Sequence, residues 1–87
     1  MSFLVAVIGS ITTATRFAKK LEQLTGISVR IVHTPEELGS AGCSYSLKTR
    51  SEYLPIVMDT AAKNKVKVKG YYLEEKTEGK VVYHAIS

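Results

Sequence analysis

A single cysteine, Cys43, stands among the 87 residues, so no internal disulfide can form. With no secretion signal to suggest otherwise, a reducing, cytoplasmic setting is expected. No apolar run approaches the ~20 residues that a bilayer-spanning helix needs, and no membrane partner is expected. Residues 3–8 are apolar, but no basic segment precedes them and Gly9-Ser10 leads directly into a helix pattern. They read as a first strand rather than a signal peptide. Neither G-x-G-x-x-G nor a P-loop occurs, and no Ser/His/Asp arrangement can be assigned, which argues against nucleotide and triad chemistry. Cys-x-x-Cys and His-x-x-x-His are also missing, so no metal and no cofactor is expected. A metal reading would need Cys43, His33 and His84 to converge at one edge. The plainer reading makes His33 a surface or capping residue and His84 a strand residue. Glu36 and Glu37 are adjacent carboxylates, but helix capping already accounts for Glu37.

What is present is ordinary globular material: 45% hydrophobic and 23% charged residues, without a low-complexity run. The length fits one domain, residues 1–87, that buries about 60–65% of its unfolded surface. The formal net charge is +4, with Lys63, Lys65, Lys67 and Lys69 clustered. As a solvated strand face these would be gatekeepers on a sheet edge. As a patch they would meet nucleic acid or an acidic partner.

Hydrophobic spacing divides the chain. Residues 3–8 form a continuous apolar run, suited to a central strand. Ser10 follows as an N-cap, and Ile11, Ala14, Phe17, Ala18, Leu21 and Leu24 recur at helical spacing until Gly26 closes the helix. Residues 28–33 read as a second strand. Thr34-Pro35-Glu36-Glu37 spells a capping box, and the small residues 39–43 lead into a third strand over 44–50. Ser51 caps a second helix with Pro55 in its first turn and Leu54, Val57, Met58 and Ala61 as its stripe. Residues 66–73 read as a fourth strand, 74–79 as a polar turn and 81–86 as a fifth strand, making 74–87 a hairpin extension. The order β-α-β-β-α-β with right-handed crossovers predicts an α+β, ferredoxin-like sandwich: an antiparallel sheet with two helices on one face, strand order 4-1-3-2, and an extra C-terminal strand.

That topology places Cys43 where the third strand starts, near Gly9, Ser10 and the first turn of the first helix. A helix N-terminus carries about half a positive charge and favours a thiolate. The C-terminal carbonyls of the second helix would oppose this, with Lys63 and Lys65 offsetting them. The alternative is that Cys43 is a small buried hydrophobe, as free cysteines frequently are.

The first strand with its Ser/Thr turn, the helix, the Val-Arg-Ile-Val strand, Thr34-Pro35-Glu36-Glu37-Leu38, and the small-residue stretch ending Gly42-Cys43 together resemble the putative selenium/sulfur carrier protein-like family. The similarity covers about residues 4–73 and is most specific over 34–47. The family's cysteine is often followed by glycine, where this chain has Ser44. The resemblance implies a carrier that holds a persulfide or selenopersulfide on Cys43 and passes it between donor and acceptor proteins, a carrier more than an enzyme with turnover. Ser10, Thr12, Ser40 and Ser44 would donate hydrogen bonds to the charged sulfur, with Gly42 and His33 beside it. The competing expectation is a regulatory or docking module without chemistry, using Tyr71, Tyr72 and Tyr83 with the lysine cluster. Edge strands make a homodimer conceivable. Nucleic-acid binding is disfavoured: the first strand offers only Phe3 as an aromatic and the RNP1 signature is missing.

Overall fold

The computed structural model describes residues 2–38 and 44–86. Strands β1 (Ser2–Gly9), β2 (Arg30–His33), β3 (Tyr45–Arg50), β4 (Gly70–Thr77) and β5 (Lys80–Ile86) form one antiparallel sheet in the order β2-β3-β1-β4-β5. Helices α1 (Ile11–Thr25) and α2 (Leu54–Lys63) complete the expected α+β, ferredoxin-like sandwich with its additional strand. The alternation of β1 decides the two faces. Leu4, Ala6 and Ile8 join Phe17 and Leu21 of α1, Leu47 of β3, and Val57 and Ala61 of α2 in the buried core. Val5 and Val7 are equally buried but belong to the opposite, open face.

Register fixes what shares an edge. Gly9 pairs with Tyr45, Tyr45 with His33, and Val7 with Gly70. The end of β1, the end of β2 and the starts of β3 and β4 therefore meet at one edge, from which α1 departs. Helix α1 begins and ends where its sequence says. Ser10 Oγ accepts from the Thr13 N–H at 3.1 Å, and Gly26, at φ 75°, supplies the left-handed cap.

Several expected boundaries move. The lysine-rich segment 63–69 lies on no strand: β4 starts only at Gly70, and β5, not β4, is the edge. The gatekeeper reading of those lysines therefore fails. Residues 74–77, expected as a turn, continue β4, and Glu78-Gly79 alone make the turn. Ser51 does not cap α2. It opens a short 3-10 turn, Ser51–Tyr53, and its hydroxyl meets that of Ser2 at 2.8 Å.

On the open face Lys48 Nζ pairs with Glu74 at 2.7 Å and lies 4.8 Å from the Phe3 ring centroid. The Tyr83 hydroxyl donates to the same Glu74 carboxylate at 2.9 Å. Burial, that hydrogen bond, and the charges of Glu74 and Glu37 push the Tyr83 phenol up to about 12. Tyr71 instead packs against the core, and burial raises its phenol too. The three tyrosines thus do not share one surface with the lysines. The open face of β3 also carries Ser46 and Lys48 rather than aromatics, so the base-stacking platform of an RRM is missing among the described residues.

Candidate functional site

The edge where β1, β2 and β3 meet is built around hydroxyl groups. Thr34 follows β2 and extends the ladder by one rung, its N–H donating to the Ser44 carbonyl at 2.9 Å. Its Oγ1 shares hydrogen bonds with Ser44 Oγ at 2.9 Å and Ser46 Oγ at 2.6 Å. Ser44 and Ser46 are both buried. Thr34 is therefore not the N-cap of a capping box. The turn after it, Glu36–Leu38, is 3-10 and closes through the Leu38 N–H to the Pro35 carbonyl. The hydroxyl read as a helix cap pins the start of β3 to the end of β2 instead.

Thr34→Val retains shape but strands two buried serine hydroxyls. Each buried group left unsatisfied costs about 1–3 kcal/mol. Thermal melts should show Thr34→Val clearly less stable than wild type and Thr34→Ser close to it. Equal melting of Thr34→Val and wild type would show that this cluster holds nothing.

The opposite flank is cationic. Gly9, at φ 111°, has no side chain, and a Cβ there would stand 3.1 Å from Lys69 Nζ. The Lys69 N–H donates to the Val7 carbonyl at 2.8 Å. This anchors a lysine over the turn from β1 into α1, where no acidic residue occupies the first helical turn. The carbonyls at the end of α2, expected to oppose a thiolate, are already engaged: Thr60 accepts from Asn64, Ala62 from Lys65 and Ala61 from Val66. Lys63 pairs with Asp59 at 3.1 Å.

The expected site residues separate on this frame. Cys43, Gly42 and Ser40 lie outside the described residues. Ser44, joined to Cys43 by one peptide bond, has its hydroxyl engaged by Thr34. Ser10 sits at the same edge, its hydroxyl occupied by Thr13. Thr12 is exposed on the outer face of α1, beside Ile11, Thr15, Arg16 and Lys19. His33 is exposed, its ring tilted against Tyr45 at 4.8 Å. His33 ends β2 whereas His84 lies on β5, at opposite sides of the five-stranded sheet. Four strand spacings of about 4.8 Å separate them by at least roughly 19 Å, and the register adds an offset along the strands, so His33 and His84 do not converge. Among the described residues no group of three His, Cys, Asp or Glu side chains is placed to hold a metal. Sequence reasoning missed Ser46 and Lys69. The run Ser44-x-Ser46 facing Thr34 across the ladder was the available signal for the former. Nothing in the lysine alternation singled out the latter.

Among the described residues no helix is long and apolar enough to cross a membrane. No curated protein and no solved structure matches the chain. A scan against protein families, by contrast, matches residues 3–73 to the family described as putative Se/S carrier protein-like. The matched stretch runs from β1 into β4 and contains the whole hydroxyl-lined edge together with Gly42-Cys43. The chain belongs to the putative Se/S carrier protein-like family.

Proposed function

We propose that this protein is a sulfur or selenium carrier, holding a persulfide or selenopersulfide on Cys43 and relaying it from a donor protein to an acceptor protein. The observation that carries the reading is the family match across residues 3–73, which includes the chain's one cysteine. The surrounding edge supports it in three ways. Thr34, Ser44 and Ser46 share hydrogen bonds that fix the chain from Ser44 onward, one peptide bond after Cys43. The N-terminus of α1 and the Lys69 ammonium bring positive charge to the same edge. The α2 carbonyls are spent on their own cap.

In the loading step the Cys43 thiolate attacks the terminal sulfur of a donor persulfide. A new S–S bond forms at Cys43 as the donor's S–S bond breaks. The donor leaves as a thiolate, the transferred sulfur keeps its proton, and no external oxidant or reductant enters. Release to an acceptor thiolate repeats the step in the other direction, and selenium follows the same course. In this scheme Ser10 and Ser44 shape the edge, since their hydroxyls already have partners. Thr12 and His33 are exposed, and with Ser40 and Gly42 they remain proposed supporting residues.

The rate of alkylation of Cys43 against pH tests the proposal's chemical premise. A carrier thiol should label rapidly, with its half-point below the ordinary value of about 8.5. A half-point at or above that value with slow labelling would make Cys43 a structural residue and end the proposal.

A further inference from the structure

Thr13, Arg16, Phe17 and Lys20 of α1 face Asn64, Lys65, Val66 and Lys67 of the α2–β4 connection across a groove of about 580 Å³. Four cations line it, and among the described residues no carboxylate does. Nor does any of the four form an ion pair there, whereas Lys48, Arg50 and Lys63 each have an acidic partner. The chain has 12 Lys and Arg against 8 Asp and Glu, for a net charge of +4. The groove's four cations equal that whole excess, and everything outside it balances. Four of the 12 Lys and Arg thus share one concavity that, among the described residues, no carboxylate lines.

The backbone holds it there. Lys65 adopts φ 55° with its N–H on the Ala62 carbonyl, and the Val66 N–H meets the Ala61 carbonyl. Val66 and Val68 pack on the core, which turns the alternate lysines outward. Lys65 and Lys67 are exposed, as are Arg16 and Lys20 across from them.

We infer that this groove docks an acidic segment of a partner protein, its Asp and Glu carboxylates seated between the α1 cations and the lysines of the α2–β4 connection. The chemistry favours carboxylates over a nucleic acid. A single-strand binder combines cations with aromatic faces on which bases stack, and the groove's one aromatic, Phe17, is only 1% exposed. The groove also follows α1 only from Thr13 to Lys20, roughly 10 Å at 1.5 Å per residue. That length suits a few acidic side chains. The inference does not depend on Cys43 carrying sulfur, because its readout is binding rather than transfer.

The test is fluorescence anisotropy of the full chain with a labelled oligoglutamate peptide and, separately, a labelled oligouridylate, at low and moderate salt. Arg16→Glu/Lys67→Glu alters two exposed groove positions. Lys76→Glu/Lys80→Glu makes the same change of net charge in the β4–β5 hairpin, and circular dichroism checks that both variants fold. The expected result is salt-sensitive peptide binding, weakened at least about tenfold by the groove pair and much less by the hairpin pair. Absence of peptide binding, or equal weakening by both pairs, overturns the inference. Tighter, groove-dependent binding of the oligouridylate would overturn it in favour of a nucleic-acid partner.

Discussion

Phe17→Ala should leave the protein only marginally stable, with its unfolding midpoint far below that of wild type. Phe17 is 1% exposed at the centre of the core, on the buried stripe of α1 with Ala14 and Leu21. It belongs to the same buried cluster as Leu4, Ala6, Leu47, Val57 and Ala61, and that cluster joins both helices to β1 and β3. Truncating a buried Phe to Ala costs about 3–5 kcal/mol through lost burial and the cavity left behind. A small domain has few such residues and a total stability toward the lower end of about 5–15 kcal/mol. Phe17→Leu preserves much of the volume and should cost markedly less. Denaturant unfolding followed by circular dichroism distinguishes these outcomes. A Phe17→Ala midpoint within error of wild type would mean the core is not organised around α1 as described.

The elements that were legible in the sequence are those where local chemistry and burial agree. Ser10 and Gly26 bound α1 because a capping hydroxyl and a left-handed glycine each have one favourable place at a helix end. The strand order followed from crossover handedness rather than from any residue. The misreadings share a physical cause: different structures can satisfy the same pattern. In 65–69 the alternating Lys and Val suit a strand. They equally suit a connection whose valines cover the core while its lysines meet water, and the Val66 N–H to Ala61 carbonyl bond ties that segment to the helix end. Glu74 to Thr77 read as a turn by polarity, yet β4 continues through them and Glu74 is held by Lys48 and Tyr83. Thr34-x-x-Glu37 has capping-box spacing, but the Thr34 hydroxyl finds two buried serines across the ladder. Leu24, counted on the apolar stripe of α1, is 62% exposed near the last turn. For the site, residue types were legible and partnerships were not. Ser10 and Ser44 lie on the expected edge with their hydroxyls already committed. The Lys69 amine over Gly9 arises from the return of the chain into β4, which no local spacing encodes.

Cys43→Ser should fold as the wild type does and lose sulfur acceptance completely. Serine conserves size, and no internal disulfide is lost, since the chain has one cysteine. What disappears is the only side-chain thiol that can form an S–S bond, so the expected change is total rather than graded. The direct measurement is to incubate wild type and Cys43→Ser with a cysteine desulfurase charged with labelled sulfur, then follow the label by non-reducing electrophoresis and intact mass. The account predicts one labelled sulfur on the wild-type chain, released by a thiol reductant, and none on Cys43→Ser. A wild-type chain that stays unlabelled while its donor remains charged, or a Cys43→Ser chain that takes up the label equally, would contradict the assignment of Cys43 as the carrying thiol.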